Sequence, residues 1–503
     1  MRKHLQYIAT IILLYTTGYV SAQSSAYFQY DSDARQIYED ILNLRLETAN
    51  QKLEILITGD TDNLAYLHLD SYKNFFHLFI TEDERLLKAS QKQQEKYRKR
   101  IRKELDDNDP YKRFAEAEML LHSAIIRSKF NQLLRSGREL LKAYDLLKEN
   151  EALFPDFIYN KKSLSVIHSL AETVSLPGMV KNLFGIEGSI EQGLKEIESV
   201  IEYSHLHEDF IFAEEADAIY LYILMYQANL PQKAINYIPD SRLNPKASPM
   251  ATFLVSKMYQ RSGENDKALN ILTQRPASPE QMPFHYLDLM EGTCRMRQLD
   301  SACTEYLENY ISQFKGRHFI KEAYQKLAWA ELIFHDNLLG YKYYLSQAKA
   351  QGHDLVDDDK QALRESQSLI IPDPVLLKAR LLSDGGYYEK AYSLLAQKAY
   401  LYTDQSHKAL EFQYRMGRIS HALKNYRDAL TYYESTITQG KDLPYYYACN
   451  AALQAGIIQE SLGKYDDASY YFKQCLDIKP EEYRSSLHQK AKTALLRISS
   501  LNK

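Results

Sequence analysis

A small residue followed four positions later by an apolar or aromatic residue recurs through the second half of the chain. The pattern is clearest between Leu462 and Pro480, where Ala468 is followed by Phe472 and the stretch ends at the proline. The small residues of this pattern are Ala234, Ala268, Ala302, Gly340, Ala391, Ala429 and Ala468. The residues four positions further on are Ile238, Leu272, Tyr306, Tyr344, Leu395, Tyr433 and Phe472. Since residues four apart share one face of a helix, the pattern predicts a series of closely packed helices.

The spacing of the small residues identifies a repeat. The first three lie 34 residues apart, and the later intervals are longer, which predicts extra residues in the connecting loops. A period of 34 residues is typical of stacked helix-turn-helix units. The residues of the last unit that fit such a repeat are Gly456, Gly463, Tyr465, Ala468, Phe472 and Pro480. On these residues the C-terminal half resembles a tetratricopeptide repeat protein, and the export signal described below would make it one of an exported type.

The resemblance implies an all-α fold, a tetratricopeptide-like α-solenoid whose hairpins stack into a right-handed superhelix with a concave groove. Within a hairpin, the pairs Gly417 with Ala429 and Gly456 with Ala468 lie twelve residues apart across the turn. With little or no side chain at these positions, the two helices can approach closely, and the aromatic residue fills the gap to the next unit. We expect this packing in every repeat.

The repeat pattern and the composition divide the chain into segments. Residues 1-22 are predicted to be a signal peptide, and residues 23-200 a helical N-terminal region of divergent repeats or a cap. Residues 201-320 and 321-503 are predicted to hold tetratricopeptide-like repeats, which match best at 372-482. In the N-terminal region, Asp109 followed by Pro110 is a plausible start of a helix.

The N-terminus has the features of an export signal. Arg2 and Lys3 precede a mostly apolar stretch from Leu5 to Val20, and small residues lead up to Ala22, after which cleavage is expected. The alternative is an uncleaved membrane anchor, but the stretch is shorter than the roughly 20 residues that a membrane-spanning helix needs. No later segment is apolar enough to span a membrane, so we expect a periplasmic or secreted protein, soluble after export.

Charge and motifs argue against several functions. A formal net charge of -4 does not favour nucleic-acid binding, which needs clustered cations. The sequence has no nucleophile-elbow, zinc-protease or phosphate-loop motif, so catalytic residues, metals and cofactors are not expected.

The acid-rich stretch from Asp354 to Lys360 lacks calcium-loop spacing and is expected to cap a helix. The four cysteines suit a buried core, although a disulfide between Cys294 and Cys303 stays possible in an exported protein.

The family resemblance also identifies candidate binding residues. In tetratricopeptide repeats the first helix of each hairpin lines the concave groove, and counting back from each small residue gives its groove positions. The positions chosen in this way are Phe253, Lys257, Trp329, Arg380, Tyr414, Arg418 and His421. Aromatic side chains beside cations would suit an extended peptide with acidic groups. The alternative is that these side chains only pack or face solvent.

These observations favour a non-catalytic scaffold of the cell envelope that binds a protein or peptide partner in its concave groove. A solute- or glycan-binding protein is the alternative, because the 41 tyrosines could provide stacking surfaces for sugars. An enzyme is the least favoured of the three, since a helical solenoid without strands offers few of the usual places for an active site.

Overall fold

The computed structural model describes residues 26-59, 62-173, 185-404 and 406-501, so the predicted signal peptide lies outside the described residues. Within these ranges the chain forms 24 α-helices. The described residues contain no strand; one isolated bridge pairs Tyr27 with Asn63. The prediction of an all-α fold is therefore confirmed.

The chain forms two compact units. Unit 1 contains the described residues up to Ala251 together with Pro276–Phe284, and unit 2 contains Thr252–Arg275 and the described residues from His285 onward. This division follows contacts within the fold, and the segment limits derived from the sequence stay predictions.

Unit 1 is built from ten helices. They are α1 (Ser32–Leu42), α2 (Leu46–Gly59), α3 (Ala65–Thr81), α4 (Glu84–Glu104), α5 (Pro110–Lys129), α6 (Leu133–Leu153), α7 (Tyr159–Thr173), α8 (Ile190–Leu206), α9 (Ala213–Tyr222) and α10 (Pro231–Tyr237). The side chain of Asp109 accepts a hydrogen bond from the backbone N–H of Tyr111 at 2.8 Å, with Pro110 in the first turn. The helix start predicted at this point is confirmed.

A buried group of charged and polar side chains joins four helices of unit 1. Lys162 of α7 donates to Glu118 of α5 at 2.6 Å and to Glu215 of α9 at 2.9 Å. Tyr72 of α3 donates to Glu118 at 2.7 Å, and the Lys162 ammonium lies 4.0 Å from the ring centroid of Phe212. Burial opposes the charge on Lys162, yet the two carboxylates outweigh it and raise the pKa of the ammonium. Removing one partner of such a pair would leave an uncompensated buried charge.

Unit 1 is predicted to lose stability as the pH falls below about 6.5. Burial lowers the pKa of His68 from its ordinary 6.5 to about 3. Burial alone would raise the pKa of Glu118, but Lys162 and the two nearby histidines lower it from 4.5 to about 2. Between each ordinary and folded value, the folded protein binds fewer protons than the unfolded chain, so acid favours unfolding.

Hydrogen exchange in α3, α5 and α7 as a function of pH would measure this loss. His68→Gln should make the loss between pH 6.5 and 4.5 smaller, whereas His205→Gln, at an exposed position of the same unit, should leave it unchanged. Protection factors in these helices, calculated against the intrinsic exchange rate at each pH, that stay constant from pH 7 to 3 would contradict the prediction.

Unit 2 contains six successive helical hairpins, the first of which begins at the boundary with unit 1. The hairpins are α11 (Pro249–Arg261) with α12 (Asn265–Thr273), α13 (Tyr286–Arg297) with α14 (Cys303–Gln313), α15 (Ile320–Phe334) with α16 (Leu338–Ala350), α18 (Pro374–Asp384) with α19 (Tyr388–Lys398), α20 (His407–Ala422) with α21 (Tyr426–Gly440), and α22 (Tyr447–Ser461) with α23 (Tyr465–Asp477). A single helix, α17 (Asp357–Gln367), follows the third hairpin, and α24 (Arg484–Leu501) follows the sixth. This arrangement is the tetratricopeptide-like solenoid that the sequence predicts.

The close approach predicted for the two helices of a hairpin is present. A Cβ atom placed on Gly456 would lie 2.5 Å from the ring of Phe472, and one placed on Gly417 would lie 2.7 Å from the ring of Tyr433. Ala468 is fully buried. The aromatic residue four positions after the alanine therefore occupies the space that the glycine of the first helix leaves open.

The predicted register is wrong by one residue in the second and third hairpins. Ala302 is exposed and Gly340 is only half-buried, whereas Cys303 and Tyr341 are buried. The residues four positions beyond these two, Leu307 and Leu345, are buried as well. In the third hairpin, a bulky tyrosine holds the position that small residues hold elsewhere, so a search for small residues selects its neighbour. In the second hairpin, the turn is five residues long rather than three, and a cysteine replaces the alanine.

The fourth hairpin contacts the first and second hairpins, which are not its neighbours in sequence. Gly263 and Gly386, in the turns of the first and fourth hairpins, have φ values of 74° and 85°. A Cβ atom on Gly386 would lie 1.9 Å from the carbonyl oxygen of Gly263. Asn265 Nδ2 also donates to Tyr387 Oη at 3.0 Å. Hairpins of a regular solenoid contact only their neighbours, so unit 2 departs from a regular solenoid here.

The contact between these two turns predicts a difference between two glycine substitutions. Gly386→Ala and Gly463→Ala both place alanine at a positive φ, which costs about 1 to 2 kcal/mol. Only at Gly386 does the new Cβ also meet backbone, since nothing lies within 4 Å of a Cβ at Gly463. We therefore expect Gly386→Ala to lower the free energy of unfolding by about 1 to 3 kcal/mol more than Gly463→Ala, in urea denaturation. Equal losses would show that the two turns do not touch.

Candidate functional site

The first helices of the hairpins in unit 2 line two cavities. The smaller cavity, of about 170 Å³, is lined by residues of α11, α13, α15, α17 and α18. The larger cavity, of about 950 Å³, is lined by residues of α15, α17, α18, α20, α22 and α24. The segments that directly precede α18, α20, α22 and α24 also contribute to its lining. No second helix of a hairpin contributes to either lining in the described part of unit 2. The family resemblance predicts this use of the first helices.

Five of the seven residues predicted from the sequence lie at these cavities. Trp329 and Arg380 line both cavities, Lys257 lines the smaller one, and Tyr414 and Arg418 line the larger one. The structure does not bring the remaining two into either lining.

Phe253 and His421 contact other aromatic side chains of the hairpins and line neither cavity. The ring of Phe253 packs against the ring of Tyr286, with 5.8 Å between their centroids, and Tyr286 itself lines the smaller cavity. His421 Nδ1 lies 3.4 Å from the hydroxyl of Tyr433 in the second helix of the same hairpin. His421 stands in the last turn of α20, where its side chain reaches the partner helix of the hairpin.

Trp329 is held in the interior of the third hairpin and reaches the cavities with the edge of its ring. Its side chain is only 4 % exposed, and its Nε1 donates to Glu365 of α17 at 2.8 Å. Tyr341 Oη donates to the same oxygen at 3.1 Å, and Gln325 Nε2 donates to the other carboxylate oxygen at 2.6 Å. The Arg380 guanidinium lies 5.2 Å from the ring centroid.

Counting back from Gly340 predicts a groove-facing position for Trp329, and the corrected register changes that prediction. Trp329 lies twelve residues before Tyr341, as Gly417 lies twelve before Ala429. It therefore occupies the close-packing position of the first helix. Two bulky side chains meet here in place of the usual small pair, and α17 supplies Glu365 as their shared hydrogen-bond acceptor.

Helix α17 also caps the helix against which it packs. The carboxylate of Asp359 accepts the backbone N–H of Phe319 at 2.6 Å and that of Glu322 at 3.0 Å, at the start of α15. Burial raises the pKa of Asp359 to about 7. The capping role predicted for the acid-rich stretch is present, although the capped helix is distant in sequence.

Four arginines line the larger cavity in different electrostatic surroundings, and the Nε of Arg364 lies 3.5 Å from Glu482. Arg415 donates its Nε to Glu411 at 2.7 Å, and the Nε of Arg380 lies 3.6 Å from Asp384. Arg418 is exposed, and its hydrogen-bond partner is the hydroxyl of Tyr414 at 3.1 Å. No carboxylate lies within ion-pair distance of Arg418 in the described chain. Arg418 is therefore the cation of this group that is open to an anionic ligand.

An apolar segment lies beside these arginines. Ile370 and Ile371 line the larger cavity and are partly exposed, and the adjacent Leu369 is 99 % exposed. Sequence reasoning missed this segment, as it missed Glu365 and Arg415. The signal was present as the stretch SLIIPDP, in which three apolar residues precede two prolines outside any repeat position.

Two further findings concern the described residues as a whole. No group of three or more histidine, cysteine or acidic side chains in the described ranges is placed to hold a metal ion. None of the described helices is both long and apolar enough to cross a membrane.

The stacked hairpins and the cavities along their first helices define an all-α helical repeat protein. The model of the tetratricopeptide repeat family matches residues 408–481, which cover the fifth and sixth hairpins almost completely. The recognition of tetratricopeptide repeats from the sequence is thereby confirmed, whereas the exported type stays a prediction. No curated protein matches the chain.

Proposed function

We propose that unit 2 binds an extended acidic segment of a protein partner in the larger cavity, and that the protein is a non-catalytic scaffold of the cell envelope. Tetratricopeptide repeats suggest protein interaction. The observation that carries the proposal is Arg418, a cation at the cavity with no carboxylate beside it and with tyrosines next to it. A carboxylate that pairs with a guanidinium forms charge-assisted hydrogen bonds, which are stronger than neutral ones.

The charges of the cavity limit how acidic the segment is. Glu411 and Asp384 already neutralise part of the charge on Arg415 and Arg380. A long run of carboxylates would be repelled by these acids, whereas one or two carboxylates can pair with Arg418, which forms no ion pair, at a smaller cost. The cavity therefore suits a segment with few, well-placed acidic residues.

The apolar segment before α18 predicts a second feature of the ligand, a large apolar side chain. The exposed side chains of Leu369, Ile370 and Ile371 would gain from being covered, at about 25 cal/mol for each Å² of apolar surface removed from water. A partner segment that places a large apolar side chain next to its acidic residue would contact both features.

The tyrosines of the larger cavity support a peptide more than a glycan. Tyr446 and Tyr447 lie with ring centroids 4.7 Å apart, and Tyr445 packs against His407 at 4.2 Å. Because these rings contact each other, fewer of their faces are open for stacking on a sugar. The experiment below also tests the alternative, a solute- or glycan-binding protein.

The envelope location and the absence of catalysis rest on sequence features. The charged and apolar pattern of residues 1-22 supports export, and the lack of catalytic motifs supports a binding role. Detection of the protein in the envelope or periplasmic fraction, with a mature N-terminus at Gln23, would be the direct check of export.

A charge reversal at Arg418 tests the proposed site. The probe is a fluorescent peptide of about ten residues with two glutamates and two leucines, measured by anisotropy at two salt concentrations. Arg418→Glu should weaken binding by at least about tenfold, since charge-assisted hydrogen bonds contribute about 1.5 to 3 kcal/mol. Arg427→Glu, on the exposed surface of the second helix α21, is the matched control and should leave binding unchanged.

Added salt should weaken binding to the wild-type protein because exposed charge pairs are screened. Equal effects of the two charge reversals would place the binding outside the larger cavity. Binding of oligosaccharides, with no binding of acidic peptides, would overturn the proposal in favour of a glycan-binding protein.

A further inference from the structure

Two buried thiols face each other inside the sixth hairpin. Cys449 of α22 and Cys475 of α23 are both fully buried, and their sulfur atoms lie 3.6 Å apart. The Sγ atom of Cys449 also lies 3.4 Å from the carbonyl oxygen of Cys475, so this cysteine faces the backbone as well as the side chain of its partner. The main chains of the two helices are therefore close at this point.

The other two cysteines form no such pair. Cys294 Sγ accepts a hydrogen bond from Gln260 Nε2 at 3.0 Å, and Cys303 holds the small-residue position of the second hairpin. All four cysteines are free thiols in the structure, and no thiol contact joins Cys294 with Cys303. The disulfide considered for these two from the sequence is thus not formed, and a different pair is placed to react.

We propose that Cys449 and Cys475 form a reversible intramolecular disulfide that locks the sixth hairpin. The sulfur atoms must move from 3.6 Å to the bonding distance of about 2.05 Å, a change that side-chain rotation within one hairpin can supply. The inference does not depend on the proposed peptide binding, because it concerns the chemistry of the hairpin itself.

The reaction balances as a thiol–disulfide exchange with a small disulfide oxidant. The thiolate of one cysteine attacks one sulfur of the oxidant, which forms a mixed disulfide and releases one thiolate. The thiolate of the other cysteine then attacks the protein sulfur of this mixed disulfide and displaces the second thiolate. The protein loses two protons and two electrons, and the oxidant leaves as two thiols.

Either thiol can donate the hydrogen bond that joins the pair. Either cysteine can therefore act as the nucleophile, and the other then resolves the mixed disulfide.

Helix α24 controls access to the pair. The Sγ atom of Cys475 lies 3.9 Å from the carbonyl oxygen of Leu487 in α24, and Ala491 and Ile498 of the same helix are buried in the same apolar cluster. An oxidant therefore reaches the thiols before α24 packs during folding or when α24 opens. We expect oxidation to be much faster during refolding than in the folded protein.

The disulfide would also restrain a wall of the larger cavity. Tyr447 and Asn450 stand next to Cys449 in α22 and line that cavity, and Asn450 Nδ2 donates to Tyr414 Oη at 2.7 Å. A covalent link from α22 to α23 would limit the motion of α22 relative to α23, and with it the motion of Tyr447 and Asn450 at the cavity.

The test uses the full chain, refolded from denaturant with oxidised glutathione as the oxidant. After denaturation, free thiols are alkylated and the protein is mapped by mass spectrometry without reduction. We expect a linked peptide pair that contains Cys449 and Cys475, with Cys294 and Cys303 alkylated. The oxidised protein should unfold several degrees higher than the reduced protein, and a reductant should reverse this shift.

Two single variants provide the controls. Cys475→Ala should remove the linked peptide and the thermal shift, and Cys449→Ala should do the same. Cys294→Ala should retain both. Only mixed disulfides with glutathione, or random pairing among the four cysteines, would overturn the proposal.

Discussion

The close approach of two helices at one glycine determines how the fifth and sixth hairpins of unit 2 pack. At Gly417 and Gly456 there is no room for even one carbon atom beyond the backbone, because the rings of Tyr433 and Phe472 occupy that space. The same alignment fixes which residues of the first helix face the partner helix and which face away from it. The residues that face away, such as Arg418, line the cavities. Packing inside the hairpin thus positions the candidate binding groups outside it.

The third hairpin lacks the small residues that allow this close approach of its two helices. Trp329 and Tyr341 take the positions of the small pair, and their polar atoms then need a partner in the interior. Glu365 of α17 supplies it, and Asp359 fixes the other end of α17 to the start of α15. The fourth hairpin follows this extra helix and contacts the first two hairpins, and the first helices of these three hairpins line the smaller cavity together with α15 and α17.

The sequence predicts the features that depend on local spacing. The helical fold and the last hairpins follow from a period of 34 residues and the positions of glycine, alanine and aromatic residues, and five of the seven residues chosen by that spacing lie at a cavity. It does not predict Glu365, Arg415 or the contact of Gly263 with Gly386, because these depend on which distant segments meet in space. The shift by one residue at Gly340 has a related cause: a pattern of small residues cannot identify a position that a tyrosine fills.

Hydrogen exchange of the full protein with and without an acidic, leucine-containing peptide tests the central claim most directly, because it reports on every helix at once. The account predicts slower exchange in 369-384, 407-421 and 445-452, which line the larger cavity, and no change in α19, α21 and α23. Protection confined to those second helices, or to helices of unit 1, would contradict it.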